Sequence, residues 1–151
     1  MLVSDFTTMS GLEIMRFIQT SGVPEIPSIA RLVGMSFDEV ENGSITASLE
    51  TRPDFANPLG IVHGGIAATL LDTVMGCAVH TTLAAGVGYT TLELKINYVR
   101  PAHTGGQKLI GTGNVIHSGR RVATAEGRVV DEKGKLMAHA TTTCMILGPE
   151  S

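Results

Sequence analysis

Within the run 63-HGGIAATLLDTVMG-76 a single carboxylate, Asp72, stands among apolar and small residues. A buried carboxylate without a partner is strongly destabilising, so Asp72 needs a partner, a solvent-facing position or a chemical role. Around a helical wheel, Ile66, Ala67, Leu70, Leu71, Val74, Cys77 and Ala78 form one oily arc. Asp72 shares the other side with Gly65, Ala68, Thr69, Met75, Gly76 and Val79. An Asp on an amphipathic helix usually points at water, but its neighbours would then be Lys or Glu. Small apolar flanks favour a cleft or an interface, where carboxylates acquire chemical roles. The same helix opens on His63-Gly64-Gly65. Unpaired N–H groups and the positive dipole end suit a developing oxyanion there, and glycine admits a carbonyl close to the backbone. By itself a Gly-Gly pair is equally a plain loop-to-helix transition.

Asp72 and Gly64 lie about 12 Å apart along the helix axis and about 80° around it. One straight helix therefore cannot bring both to one carbonyl. Two such helices packed antiparallel across a two-fold axis could, because the small-residue face permits close approach and isologous dimers are the commonest oligomers. If both groups act, the site lies between subunits.

The elements around this helix read as strands. Ser10 and Glu13 match a capping box and start a helix ending near Gly22, with Pro24 and Pro27 at its exit. Residues 29–50 alternate in polarity, interrupted by the turn signal Glu41-Asn42-Gly43. The loop 51–60 is rich in Pro, Asn and Gly. After the helix, Leu92, Leu94, Ile96 and Tyr98 alternate with Glu93, Lys95 and Asn97 up to Arg100-Pro101. Three further strands are expected over about 107–117, 121–131 and 135–147. The fold class is α+β: a curled antiparallel sheet of five to six strands wrapped around one long central helix. We expect a single domain over 1–151, with an N-terminal helical segment at 1–24 and the core at 28–147.

The 151 residues are 43% hydrophobic and carry a net charge of -3, so no basic field recruits nucleic acid, which is excluded as a main partner. Two cysteines build no disulfide framework, and the five histidines show no ligand spacing, so no metal is expected. No leader or membrane-spanning run appears, so the expected setting is cytoplasmic, with no membrane partner.

The runs 57-NPLGIVHGGIAATLLD-72 and 91-TLELKINYVRPA-102 resemble the PaaI-type branch of the hotdog-fold acyl-CoA thioesterases, in the hydroxybenzoyl-CoA thioesterase superfamily. The resemblance covers roughly residues 28–147. It implies a hotdog fold and hydrolysis of an aryl-, hydroxyaryl- or medium-chain acyl-CoA, with no cofactor besides that substrate. It assigns Asp72 as nucleophile or general base and Gly64 N–H as the oxyanion donor. Asn57 would orient the carbonyl or the water, with His63 beside it. Thr91 would help position the water, a role for which Thr90 competes. A homodimer is expected, assembled as a dimer of dimers. Arg120, Arg121 and Arg100 are candidates for the CoA phosphates, because guanidinium forks suit phosphate. A solvated charged hairpin is the plainer reading of Arg120 and Arg121. Two rival functions remain open: an acyl-CoA sensor without turnover, and a hotdog enoyl-CoA hydratase or dehydratase using His63 with Asp72. No G-x-S-x-G elbow supports an α/β-hydrolase.

Overall fold

The computed structural model describes residues 3–148. A 3-10 turn over Val3–Thr8 leads into α1 (Gly11–Ser21) and α2 (Ile29–Val33), then β1 (Ser36–Glu41) and β2 (Ser44–Glu50). The long helix α3 spans Gly64–His80, followed by β3 (Gly88–Tyr98), β4 (Lys108–Ser118), β5 (Val122–Asp131) and β6 (Leu136–Leu147). The strands form one six-stranded sheet in the order β1-β2-β4-β5-β6-β3. Every pairing is antiparallel. This is the curled sheet around a central helix expected from the sequence.

The capping box forms as its residue types require. Ser10 Oγ accepts from Glu13 N at 3.3 Å, and Glu13 Oε2 accepts from Ser10 N at 2.7 Å. The expected strand from residue 29 is corrected at its start, where Ile29–Val33 is helical. Ser28 caps it by accepting from Arg31 N, and Gly34 ends it in the left-handed conformation at φ 73°. Both signals favour a helical turn over the alternating pattern.

The helix rests in a trough made by missing side chains. Gly113 of β4 pairs directly with Gly127 of β5. A Cβ on Gly113 would lie 2.3 Å from the Val74 carbonyl oxygen, and one on Gly127 would lie 2.9 Å from Met75 Cγ. Leu70, Leu71, Val74, Met75, Ala78 and Val79 are fully buried there. This narrows the small-residue face of α3. Met75, Gly76 and Val79 were expected beside Asp72 and are instead covered within the chain. Tyr89 explains part of this, since a Cβ on Gly76 would lie 2.8 Å from its ring.

In β3 the pairing passes from Thr91↔Cys144 to Glu93↔Thr143, so Leu92 is the extra residue of a β-bulge. A bulge reverses the side-chain parity of a strand. Tyr89 and Thr91 face α3 before it, and Leu94 and Ile96 pack on the core after it. The expected face Leu92-Leu94-Ile96-Tyr98 is therefore broken at its first member, and Leu92 is 53% exposed.

Candidate active site

The first turn of α3 is clamped at one peptide. His63 caps the helix, its Nδ1 accepting from Gly65 N at 2.8 Å. The carbonyl at the other end of the Gly64–Gly65 peptide accepts from the Tyr98 hydroxyl at 2.7 Å. Because Nδ1 is an acceptor, a neutral His63 carries its proton on Nε2 and can donate it outward. The Gly64 N–H occupies the first helical position, where no intrahelical acceptor exists, and it has no acceptor among the described residues. It is open to an acceptor from outside the chain.

Asn57 belongs to the loop in front of this turn. Its Oδ1 accepts from Leu59 N at 2.9 Å and from Ile61 N at 3.3 Å. The acceptor end is thus committed to loop shape, leaving the amide NH₂ as a donor. Asn57, His63 and Gly64 border a cavity of about 340 Å³, together with Tyr98 and Arg100.

Asp72 is not part of that cavity. It lies half-buried two turns along α3, where Thr91 Oγ1 donates to its Oδ1 at 2.9 Å. Of the two threonines in competition, Thr91 holds the carboxylate and Thr90 is exposed. Glu93 lies on the strand surface, accepting from Thr143 Oγ1 at 3.0 Å. One chain therefore presents two separate groups: a donor cluster of Gly64, Asn57 and His63, and a carboxylate–hydroxyl pair of Asp72 and Thr91.

The groups behind Asp72 do not compete as nucleophiles. Burial pushes the Cys77 thiol up to about 11, opposed by a hydrogen bond from the Tyr89 hydroxyl and reinforced by the Asp72 charge. Burial also raises Cys144 and Tyr89, and it lowers His80. These side chains are neutral at physiological pH, so neither thiol supplies a thiolate.

The three arginines separate. Arg100 lies at the cavity mouth. Arg120 and Arg121 are exposed in the turn after β4, at the far end of the sheet, where Ser118 meets Thr82 beyond the C-terminus of α3. Within one chain they cannot grip the same phosphate. Among the described residues, no group of three His, Cys, Asp or Glu could hold a metal ion. No helix there is long and apolar enough to cross a membrane.

Sequence reasoning passed over Tyr98. It counted Tyr98 only as one more residue of an alternating strand, whereas its hydroxyl fixes the start of α3. The available signal was a polar-tipped aromatic beside Arg100-Pro101, at the end of the strand that also carries Thr91.

Comparison with known proteins gives the family. The family model described as thioesterase superfamily matches residues 59–138, which takes in Gly64, Asp72 and Thr91. A candidate thioesterase from Ralstonia eutropha JMP134, described as phenylacetic acid degradation-related, is 32% identical. It superposes with a TM-score of 0.77 over 87% of this chain and 98% of that one. The Escherichia coli PaaI protein of the phenylacetic acid degradation operon shares the fold, with a TM-score of 0.79 and 20% identity over 91% of this chain and 96% of that one. Human acyl-coenzyme A thioesterase 13 is 26% identical over 102 residues, covering 67% of this chain and 71% of that protein. The chain belongs to the thioesterase superfamily, as a hotdog-fold thioester hydrolase resembling its PaaI branch.

Proposed function

We propose that the protein hydrolyses an acyl-CoA to the free acid and CoA at a site shared by two copies of the chain. The observation that carries this reading is the division of the chemistry into two half-sites too far apart to meet within one helix. Gly64 N–H binds the thioester oxygen as it becomes an oxyanion, and the Asn57 amide and His63 Nε2–H are further donors at the same mouth. Asp72 of the second copy, held by Thr91, either takes a proton from the water that adds to the carbonyl carbon, or adds to that carbon itself to give an anhydride that water then cleaves. In both, the C–S bond breaks and CoA leaves as its thiolate. A thiolate is a good leaving group, so a carboxylate and an oxyanion site suffice without a Ser-His-Asp triad.

The sheet supports such a pairing. β3 lies at the sheet edge and carries Thr91. A long open edge invites antiparallel addition of another strand. Setting Gly64 opposite Asp72 of an antiparallel copy places that copy's His80 end about 12 Å beyond Gly64. Arg120 and Arg121 of the second copy then lie on the side where CoA leaves the cavity, and Arg100 of the first guards its mouth. We carry residues 1–151 as one catalytic domain acting in the cytoplasm as a dimer of dimers. Breakdown of aromatic acids is the metabolic setting favoured by the named relatives.

Complementation tests the shared site. Asp72→Asn and Asn57→Ala each disable one half-site, so each alone should lose most turnover. Co-refolding them in equal amounts makes heterodimers with one intact site, restoring about a quarter of wild-type activity. No gain on mixing, despite confirmed heterodimers, rejects it.

A further inference from the structure

Thr142 of β6 is 2% exposed and lies on the inner face of the sheet, paired with Leu94, which packs on the core. A hydroxyl in such a place is costly unless it has a partner. Its Oγ1 donates to the Glu93 carbonyl at 2.7 Å. Glu93 is the first residue of β3 to be paired again after the bulge at Leu92. On the outer face, Thr143 Oγ1 donates to Glu93 Oε2 at 3.0 Å. Consecutive side chains of a strand point to opposite faces, so two neighbouring threonines of β6 grip Glu93 from both sides. One holds its backbone and the other its carboxylate. Before the bulge, Thr91 pairs with Cys144, a fully buried thiol that lies beside the Thr91 and Thr142 hydroxyls.

We infer that Thr142 is a positioning residue for the hydrolysis: by holding the Glu93 carbonyl it fixes the bulge, and the bulge turns Thr91 Oγ1 to Asp72. The inference rests on the reading of Asp72 as base or nucleophile, and adds what keeps its partner in place. β3 is an edge strand of the chain, with β6 as its one neighbour in the sheet. Its register therefore depends on what β6 offers. With Leu94 kept on the core and no bulge, strict alternation turns Leu92 and Thr90 inward and Thr91 outward. Leu92 would then stand opposite Cys144, with no proton to offer Asp72. A bulge disrupts the ladder locally, so a side-chain hydrogen bond beside it holds the extra residue at Leu92 rather than one position along. Thr143 is the weaker hold, because it grips the end of a flexible, exposed side chain. A valine at 142 would keep the β-branched shape and lose only the hold on the carbonyl.

The test measures kcat and KM by thiol release from octanoyl- and phenylacetyl-CoA in wild type, Thr91→Val, Thr142→Val, Thr142→Ser and the double valine variant. Thr91→Val should lower kcat about ten-fold, as for loss of one hydrogen bond to a charged group. Thr142→Val should lower kcat by a similar factor with KM unchanged. Thr142→Ser, which keeps the hydroxyl, should retain most of the turnover. The double variant should be no worse than Thr91→Val, because both changes remove the same contact. Multiplied losses, or a Thr142→Val enzyme that melts lower yet turns over like wild type, overturn the inference. If valine prevents folding, Thr142→Cys carries the same comparison with serine, since a thiol is a weak donor in the same space. Cross-strand nuclear Overhauser contacts read the register without turnover. Thr91 should meet Cys144 in wild type and lose that contact in Thr142→Val, and a contact that persists also overturns the inference. If Asp72→Asn keeps wild-type turnover while Thr142→Val loses the contact, the reading of Asp72 falls and the register assignment stands.

Discussion

The two halves of α3 solve opposite problems with the same small residues. In the C-terminal half, small residues admit structure. Gly76 makes room for Tyr89, and Gly113 and Gly127 of the sheet let the helix backbone settle onto β4 and β5. Val74, Met75, Ala78 and Val79 are sealed there. In the N-terminal half, Gly64 and Ala67 face a cavity, and the backbone is left with an N–H that no group among the described residues accepts. Asp72 stands between the two halves. The lesson is that a small residue means close packing or a ligand site according to what the opposing strand brings, and only the fold decides which.

The largest effects should come from Asp72 and the N-terminal half and leave stability intact. Asp72→Asn keeps the shape and a hydrogen-bonding group for Thr91 but removes the base. Turnover should fall about 10²–10⁴-fold, with an unchanged circular dichroism spectrum and a Tm within a few degrees. Gly64→Pro is the sharper probe of the oxyanion donor. Proline is favoured at the first helical position and puts a ring carbon where the N–H was, while Gly64→Ala adds the same Cβ and keeps the N–H. Either Cβ meets the Tyr98 ring at 3.1 Å, a contact that the 55% exposed side chain can relieve by moving. Proline should lower kcat about 10²–10³-fold, far more than alanine does. Equal loss in the two variants would remove Gly64 N–H from the mechanism.

The sealed half should respond in stability. Gly113→Ala sets a Cβ against the Val74 carbonyl at 2.3 Å, and backbone cannot step aside as a side chain can. About 3 kcal/mol of destabilisation is expected, lowering Tm by on the order of 10 °C in a chain of this size. If Gly113→Ala melts like wild type, the helix does not rest on β4 as described.

A smaller effect tests the same seal by pH. Burial raises Cys77 from 9.0 to about 11, so the unfolded chain loses this proton before the folded one does. The stabilisation is complete below pH 9 and is lost as pH rises towards 11. Tm should decline across that window, and Cys77→Ala should flatten part of the decline. At pH 8 the native protein should react slowly with a thiol reagent and quickly once unfolded.

The sequence carried the fold well, because alternation, turn residues and one long oily helix leave few other arrangements. It also carried the separation of Gly64 from Asp72, which follows from helical rise alone. What it hid were features that depend on one unpaired residue. The bulge at Leu92 reverses the parity of β3 and brings Thr91, not Thr90, to Asp72. Strict period two cannot show that, since a bulge looks like one more β-former. The helix at Ile29–Val33 was hidden differently: five residues are too few for a helical period, and only Ser28 and Gly34 marked its ends. The apolar face of α3 was drawn too narrow because the wheel knows nothing of Tyr89 arriving from another strand.

The smallest predicted effect concerns the clamp on the first turn, and it separates capping from chemistry for His63. The Gly64–Gly65 peptide is held by Tyr98 at its carbonyl and by His63 Nδ1 at its N–H. Losing either hold costs about 1 kcal/mol of local order, so Tyr98→Phe should lower kcat only several-fold. For His63 the replacement decides. Asparagine is a good N-cap and restores an acceptor for Gly65 N–H, but it lacks the outward Nε2–H; alanine offers neither. If His63 acts through the cap, His63→Asn should keep most of the turnover that His63→Ala loses, and both should keep the wild-type pH profile. If asparagine is as poor as alanine, the outward Nε2–H touches the thioester, and His63 belongs with Gly64 and Asn57 among the groups that bind the reacting carbonyl.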